Sequence, residues 1–509
     1  MKKQPKADIY FNKDFQLKSL KARAIKGAGA TVFAQIVNYG IQVVGTVILA
    51  RILMPDDFGL IAMVVIFSLL LQNFGINGFT EAVIQQKEIN HRQISTFFWI
   101  NIGISFALTI FLICSSPLIA WFYKEPRLEL ITVALAFSII IAGLSTQHLA
   151  LLKRNIQFYK TSVNEVVATL LSVIVSIVMA LGGCGYWSLI ARRLTLPLST
   201  TIGAWILCRW CPGLPARGTG VRPMLKFAFN VYGNFCITYF SRNIDKMLIG
   251  RYHGTQQLGN YDRAYHLSSM LHNQLTVPLA NVAVATLSRL RDNPEKCLYY
   301  YLKILSLIAF IGMPLSAIFT LIGNDLILLL LGPQWDNAGQ IFSAFGPGIG
   351  IMLIYGTHVW LHFSMGRADR LLRWSIIGLI VTVTLFLIGL PFGAVGVAVA
   401  YSSSFYVLLG PGIWYAGRPI QLTFSFLISA IWKYWVAACL SGVFWWFILY
   451  FYDLTSNIFA DFNIFMRLLV ASVMCMSTYL LLICSFYKSI KPVSEFFSIL
   501  SEMVPSLKR

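Results

Sequence analysis

Long apolar segments constrain this chain more than any other feature of its sequence. Hydrophobic residues make up 57% of the 509 residues and charged residues only 12%, which excludes an ordinary soluble domain. The apolar residues gather in segments of about 20, each long enough to cross a hydrocarbon layer of about 30 Å as a helix. We therefore expect an all-α integral membrane protein with about fourteen transmembrane helices. The predicted spans are 28–53, 58–84, 96–122, 128–152, 163–181, 186–207, 225–253, 258–288, 300–323, 338–363, 371–390, 394–416, 430–450 and 463–486.

The predicted spans divide the chain into two blocks with additional segments around them. Residues 1–27 form a cytoplasmic basic tail, residues 28–207 an N-lobe with spans one to six, and residues 208–224 a cytoplasmic linker. Residues 225–416 form a C-lobe with spans seven to twelve. Residues 417–509 contain spans thirteen and fourteen and a cytoplasmic tail.

A short internal repeat supports the division into two blocks. The matching positions, at the same spacing, are Arg51, Phe58 and Gly59 in the first block and Arg251, Leu258 and Gly259 in the second. Each set joins the first two spans of its block. Because an even number of spans gives both blocks the same orientation, the pattern predicts a parallel repeat of the kind found in several transporter folds.

Lysine and arginine indicate the orientation, because cytoplasmic loops retain these residues. They are concentrated in the leading tail and the even-numbered turns, whereas the outer loops carry only Lys124, Arg127 and Arg251. We therefore expect a multi-pass inner-membrane protein with both termini in the cytoplasm. The net charge of +20 is spread over short loops, so membrane lipids are expected partners and nucleic acid is not.

The cysteine and histidine patterns predict no metal site. Cys208 and Cys211 form a closely spaced pair that lacks the second pair or the histidines of a zinc site. His358 and His362 share a helix face, but the glutamate of a metalloprotease helix is missing between them. We expect neither a metal nor a cofactor.

Polar side chains within the spans carry the most information about function, because an unsatisfied polar group is costly in lipid. They form stripes at helical spacing on spans one, two, seven and eight. The stripes consist of Thr31, Gln35, Asn38, Gln42 and Thr46; of Asn73, Asn77, Thr80 and Glu81; of Asn230, Asn234, Thr238, Ser241 and Asp245; and of Arg263, His266, Asn273, Gln274 and Asn281. One interpretation is hydrogen bonding between neighbouring helices. Because the four spans occupy corresponding places in the two blocks, a polar cavity between two lobes is favoured.

Several runs of residues resemble a known family. They are LARILMPDDFGLIAM at 49–63, FGINGFTEAVIQQKEI at 74–89, NIDKMLIGRYHGTQQLGNYDRAYHL at 243–267, the stretch from Pro278 to Leu290, and LGPQW at 331–335. In these runs the chain resembles Wzx-type lipid-linked oligosaccharide flippases of the colanic acid exporter-like branch. Those proteins belong to the multidrug, oligosaccharidyl-lipid and polysaccharide exporter (MOP) superfamily. The resemblance covers most of residues 20–420.

The resemblance implies a fold of two six-helix lobes around a central cavity, with two more helices at the C-terminus. It also implies a function, which is to move undecaprenyl-pyrophosphate-linked oligosaccharide repeat units across the inner membrane by alternating access. The product would serve exopolysaccharide, capsule or O-antigen biosynthesis. Such a flippase is not an enzyme, because no bond in the cargo is broken. Its implied partners are the lipid-linked oligosaccharide, a polysaccharide polymerase and a chain-length regulator.

A pyrophosphate cargo requires cationic and hydrogen-bonding side chains in the cavity. The candidate substrate-binding residues are Arg242, Arg263, Lys246, Arg192, Arg193, Arg51, Asn38, Gln42, Asn77, Asn234, His266 and Gln274. Arg242 is the first candidate because it lies nearest the centre of the membrane; its alternative role is an ion pair with Asp245.

Other candidates also have alternative roles. Lys246 and Arg263 could brace the turn between spans seven and eight, and Arg192 and Arg193 could extend toward the outer surface. The candidates for coupling transport to proton or sodium entry are Glu81, Glu165 and Asp245. For Glu81 and Glu165 the alternative is an ion pair with a nearby basic loop.

Two other functions stay open. A polytopic polyprenyl-dependent glycosyltransferase or polymerase would handle the same lipid, and Asp56 and Asp57 are the hint of a catalytic site. The short outer loops disfavour such an enzyme, so the two aspartates are expected to cap span two instead. A MATE-like drug exporter of the same fold would need a smaller and less cationic cavity.

Overall fold

The computed structural model describes residues 20–74, 79–85, 89–216, 222–456 and 463–494. All regular secondary structure within these ranges is helical. The predicted all-α fold class is therefore confirmed.

The chain packs as two compact units, Met1–Gly259 and Asn260–Arg509. The first unit contains α1 (Leu20–Ile52), α2 (Pro55–Asn73), α3 (Thr80–Gln85), α4 (His91–Cys114), α5 (Ser116–Tyr123), α6 (Leu128–Gly143), α7 (Thr146–Arg154), α8 (Phe158–Leu181), α9 (Trp187–Cys208), α10 (Arg222–Ser241) and the start of α11 (Ile244–Arg289). The second unit contains the rest of α11 with α12 (Pro294–Leu331), α13 (Asp336–Ser364), α14 (Ala368–Gly389), α15 (Gly393–Gly417), α16 (Phe424–Ser456) and α17 (Ile464–Tyr487).

The boundary between the two units lies inside α11, whereas the sequence places the boundary between the lobes in the linker 208–224. Contacts of α10 explain this position. The Tyr232 hydroxyl donates to the Leu70 carbonyl of α2 at 2.9 Å, and the Tyr232 and Phe74 ring centroids are 4.6 Å apart. The predicted bounds of the two lobes stay a prediction.

Ten helical segments of the described ranges are long and apolar enough to cross a membrane. One of them, Asp369–Ile420, covers α14 from its second residue and all of α15. Helices α9, α10 and α11 fall outside this set. The predicted span 338–363 matches α13 closely, but the total of about fourteen spans stays a prediction.

Small and polar residues join the helices of the first unit. A Cβ on Gly203 would overlap Asn164, and the Asn164 Nδ2 donates to the Thr200 carbonyl at 3.0 Å, so α8 and α9 pack closely. The Asn101 Nδ2 on α4 donates to the Gly143 carbonyl at the end of α6 at 2.9 Å. Such bonds satisfy polar groups that lipid would leave without partners.

Helices α12 and α13 of the second unit also pack closely. A Cβ on Gly312 would lie 3.2 Å from the Gly350 Cα. The Gly350 N–H donates to the Ser316 Oγ at 2.6 Å, less than one turn after Pro347 in α13. The serine hydroxyl therefore links the two helices next to the proline.

The two C-terminal helices pack against α12. The Tyr479 hydroxyl on α17 donates to the Phe310 carbonyl at 3.1 Å, and the Arg467 Nη2 lies 3.3 Å from the Asp325 Oδ2. Arg467 therefore has an acidic partner near the end of α12.

Candidate functional site

The polar stripe of α1 contains both packed and accessible side chains. Asn38 is 6% exposed, and its Oδ1 has no hydrogen-bond partner among the described residues. Gln35 and Gln42 are exposed, and Thr31 and Thr46 are half-buried. Because an amide facing hydrocarbon would be left unsatisfied, the face with the two glutamines is suited to a wet cavity.

The stripe predicted on span two is less regular. Asn73 ends α2, and its Nδ2 donates to the Leu69 carbonyl at 2.8 Å. Thr80 is buried and Glu81 is exposed at the start of α3. Asn77 lies outside the described residues. Glu81 is thus the accessible polar group of this stripe in the part of the chain that the structure describes.

A break between two helices positions Arg242. The sequence predicts one span over 225–253, but α10 ends and α11 begins on either side of Arg242 and Asn243. The Asn243 Nδ2 donates to the Tyr239 carbonyl at 2.8 Å and so competes with the backbone hydrogen bonds of the helix. The break corrects the predicted bounds of span seven, since hydropathy does not reveal a local side-chain bond of this kind.

The Arg242 side chain is exposed and forms no ion pair or hydrogen bond with the residues that the structure describes. The alternative ion pair with Asp245 is therefore not formed, and Asp245 is itself buried at 2% exposure. About 18 Å of helix, at 1.5 Å per residue, separates Arg242 from Gly254, and the position of Arg242 near the membrane centre stays a prediction. A guanidinium at the predicted depth would require water or an anion beside it.

The other basic candidates around α11 have different surroundings. Lys246 is half-buried one turn from Arg242. Arg263 pairs with Asp262, with 2.5 Å between Nη2 and Oδ2. Sequence reasoning missed Asp262, although an acidic residue next to a basic one within a span is a signal for such a pair. This pair favours the bracing role for Arg263.

The remaining candidates are spread over several helices. Arg51 and Gln42 on α1, Arg193 on α9, Glu165 on α8, and His266 and Gln274 on α11 are exposed, while Arg192 on α9 is half-buried. The Asn234 side chain is outside the described part of the chain. Arg242, Asp245 and Lys246 are the candidates that the structure gathers within about one turn of the helix break.

Asp57 caps α2, as the sequence predicts. Its Oδ2 accepts a hydrogen bond from the Met54 N–H at 3.0 Å, which is the reciprocal bond of a capping box. Asp56 instead accepts from the Thr255 hydroxyl through Oδ1 and from the Arg127 Nη1 through Oδ2 at 3.0 Å. Both aspartates are therefore engaged in structural contacts.

Arg127 also binds Glu125, and these contacts were not predicted. Its Nε and Nη2 donate to the two Glu125 carboxylate oxygens at 2.8 and 3.1 Å. The hydrogen bond from Arg127 lowers the pKa of Glu125 below its ordinary value, and the neighbouring carboxylates raise the pKa of Arg127. Arg251 lies with Cζ 5.8 Å from the Phe122 ring centroid. Two of the three basic residues of the predicted outer loops, Arg127 and Arg251, thus have structural partners. Basic residues are rare in outer loops, so their presence there was a signal in the sequence for such partners.

The two sites of the internal repeat contact each other. A Cβ on Gly59 would overlap the Thr255 carbonyl oxygen, and a Cβ on Gly259 would overlap the Pro55 carbonyl oxygen. Each glycine therefore meets the carbonyl that lies one turn before the other glycine. Gly254, at φ 79°, sets the direction of the helix that follows it. The start of α2 and this part of α11 cross with their backbones in direct contact, which a side chain at either glycine would prevent.

Three curated relatives cover most of the chain. Lipopolysaccharide biosynthesis protein WzxC of Escherichia coli (strain K12) is 22% identical over 391 residues, which are 75% of this chain and 78% of WzxC. Succinoglycan biosynthesis transport protein ExoT of Rhizobium meliloti is 22% identical over 70% of this chain and 72% of its own length. Teichuronic acid biosynthesis protein TuaB of Bacillus subtilis is 24% identical over 72% of this chain and 76% of its own length.

Solved structures show the fold. The lipid II flippase MurJ, in an inward closed conformation, has a TM-score of 0.71 at 17% identity and covers 91% of this chain and 99% of its own. An inward-facing multidrug resistance MATE transporter of the MOP superfamily has a TM-score of 0.60 at 13% identity and covers 75% of this chain and 94% of its own. Together with the apolar helices, this likeness shows a multi-pass membrane protein with a transporter fold. The family model for "Polysaccharide biosynthesis protein" matches residues 48–340, more than half of the chain, and the chain belongs to that family.

Proposed function

We propose that this protein is a flippase that moves undecaprenyl-pyrophosphate-linked oligosaccharide repeat units from the cytoplasmic to the periplasmic leaflet. The observation that carries the proposal is the exposed Arg242, which has no ion-pair partner among the described residues and lies at a helix break. The family and the named relatives support it, since their names refer to polysaccharide and lipopolysaccharide biosynthesis and to succinoglycan biosynthesis transport. MurJ, whose fold this chain shares, is itself a lipid II flippase.

The chemistry of the cargo fits these residues. The lipid tail stays in the bilayer, so the protein has to shield the pyrophosphate and the hydroxyl-rich glycan from hydrocarbon. The fork of the Arg242 guanidinium suits a pyrophosphate, because it donates two parallel hydrogen bonds. The exposed amides of Gln35 and Gln42 on α1 provide donors and acceptors for sugar hydroxyls.

Transport by this route breaks no bond in the cargo. The aspartates that suggest a glycosyltransferase or polymerase are Asp56 and Asp57, and their contacts with Arg127, Thr255 and Met54 support a structural role. We therefore infer a transport cycle between inward-open and outward-open states and no catalytic step.

The cellular setting is part of the proposal. We infer insertion in a bacterial inner membrane with both termini cytoplasmic, because the outer loops carry so few basic residues. A polysaccharide polymerase and a chain-length regulator would receive the exported unit. Coupling to proton or sodium entry would use the buried Asp245 or the exposed Glu81 and Glu165.

Complementation of a deletion strain tests the function. The gene is deleted in a strain that makes its own exopolysaccharide, and variants are expressed from a plasmid at matched protein levels. Wild type and Arg92→Ala are expected to restore polysaccharide export, because Arg92 is an exposed arginine of α4 and does not belong to either helix at the break. Arg242→Ala is expected to lower export by about tenfold or more, and Arg242→Lys to restore part of it. Full export by Arg242→Ala would remove this residue from the mechanism.

A further inference from the structure

A second group of cationic side chains lies in the second unit, where α14 begins and α15 ends. The Arg370 Cζ is 5.6 Å from the centroid of the Tyr415 ring, and the Arg418 Cζ is 6.0 Å from the same centroid. The Arg418 Cζ is also 4.1 Å from the centroid of the Trp414 ring. A single tyrosine ring thus positions two guanidinium groups.

Neighbouring side chains hold the Tyr415 ring in place. The Trp374 ring stacks on it, with the centroids 5.8 Å apart and the planes at 27°. The Trp374 Nε1 in turn donates to the Tyr355 hydroxyl at 2.9 Å. Because the indole is anchored at its polar end, the tyrosine provides a rigid surface for the two arginines.

The two arginines keep their capacity for hydrogen bonding. Neither Arg370 nor Arg418 forms an ion pair or a side-chain hydrogen bond with residues in the described ranges. An aromatic ring attracts a guanidinium through the face of the ring. The N–H donors in the plane of the guanidinium therefore stay available for an anion.

A buried histidine adds a polar group beside the same ring. His362 is 1% exposed, and its ring centroid is 5.9 Å from that of Tyr415. Its Nε2 has no hydrogen-bond partner within the described part of the chain. Arg370, Arg418 and His362 therefore lie next to the Tyr415 ring with hydrogen-bonding groups that the described residues do not use.

The surroundings are typical of a membrane interface. Trp414 is 43% exposed and Arg418 is exposed, and tryptophan is enriched at the depth of lipid head groups. The turn after α15 lies on the side that the arginine distribution predicts to be cytoplasmic. Anionic lipid head groups attract basic side chains at a membrane surface, and arginine forks match the geometry of phosphate oxygens.

We propose that Arg370 and Arg418 form a binding site for the phosphate of an anionic lipid at the cytoplasmic surface, with Tyr415 as their common support. The site is separate in the chain from Arg242. Two lipids offer this chemistry, namely an anionic phospholipid and a polyprenyl pyrophosphate.

Lipid binding to the purified full-length protein tests the site. The protein in neutral detergent is titrated with phosphatidylglycerol, with phosphatidylcholine, and separately with undecaprenyl pyrophosphate, and bound lipid is counted by native mass spectrometry. The variants are Arg418→Gln alone, the pair Arg370→Gln with Arg418→Gln, and Arg373→Gln as the matched control. Arg373 is an exposed arginine one turn after Arg370 on the same helix, so the control removes the same charge.

We expect wild type and Arg373→Gln to bind an anionic lipid in preference to phosphatidylcholine. The double variant is expected to weaken that binding by about tenfold or more, and Arg418→Gln by a smaller factor. Loss confined to phosphatidylglycerol identifies a phospholipid site, and loss confined to undecaprenyl pyrophosphate identifies a polyprenyl site. Unchanged binding of both lipids by a correctly folded double variant would overturn the proposal, as would an equal loss in Arg373→Gln.

Discussion

Gly59 and Gly259 face each other where α2 crosses α11, and a Cβ built on Gly259 would lie 3.0 Å from the Gly59 nitrogen. The two glycines are equivalent positions of the internal repeat, so the crossing has the symmetry of an isologous contact. The repeat unit that the sequence reveals is also a contact surface in the folded chain.

Substitution of either glycine by alanine tests this crossing. Gly59→Ala and Gly259→Ala are each expected to destabilise the purified protein by about 1–3 kcal/mol, because the new methyl group would meet a backbone carbonyl that cannot rotate away. Thermal unfolding in detergent measures the effect. Gly103→Ala is the control, since a Cβ at Gly103 on α4 meets nothing within 4 Å. Equal midpoints for the three variants would contradict the close approach.

The crossing shows what hydropathy and spacing reveal and what they do not. The span at 338–363 was predicted well because a polar turn precedes α13 and basic residues follow it. The helix break at Asn243 was not predicted. It depends on a hydrogen bond from the Asn243 side chain to the Tyr239 carbonyl inside an otherwise apolar segment.

The candidate site was likewise predictable only in part. The sequence predicts that Arg242 is an intramembrane cation, and the structure adds that it forms no ion pair with Asp245. The partners of Arg263 and Arg127 depend on which carboxylates folding places within reach. The distant pair of Arg127 and Asp56 could not be read from spacing along the chain.

The contacts of Arg127 predict a small effect that depends on pH. Arg127→Gln is expected to lower the stability by about 0–1 kcal/mol at pH 7, because the ion pairs are partly exposed and screened by solvent. The pKa of Glu125 is lowered in the folded state, so this stabilisation is present above the ordinary glutamate pKa of about 4.3 and is lost as the pH falls through the lowered value.

Thermal unfolding of wild type and Arg127→Gln at pH 7 and pH 3 checks this dependence. The difference in midpoint is expected at pH 7 and should shrink at pH 3. Lys124→Gln removes a positive charge from the same loop without an ion pair among the described residues, and it should change little at either pH. A difference that persists at pH 3 would show that Arg127 acts through packing and not through its charge.

The hydroxyl of Ser316 links α12 and α13 and yields a further prediction. Ser316→Ala leaves the Gly350 N–H without the 2.6 Å bond to the Ser316 Oγ, so the protein should lose about 1–3 kcal/mol of stability. Ser375→Ala provides the comparison, because the exposed Ser375 hydroxyl only donates to the Leu371 carbonyl of its own helix. Its effect is expected to stay within about 0.5 kcal/mol. If chemical denaturation gives the same loss of stability for both variants, the hydrogen bond between the helices contributes no more than the bond within one helix.

The most direct test follows the labelled lipid-linked repeat unit in each membrane leaflet of cells that lack this gene and any competing flippase. We predict that the unit stays in the cytoplasmic leaflet without the protein and reaches the periplasmic leaflet when wild type or Arg92→Ala is supplied. With Arg242→Ala at the same protein level, the transfer rate should fall by about tenfold or more. Appearance of the unit in the periplasmic leaflet of cells without the protein would contradict the account.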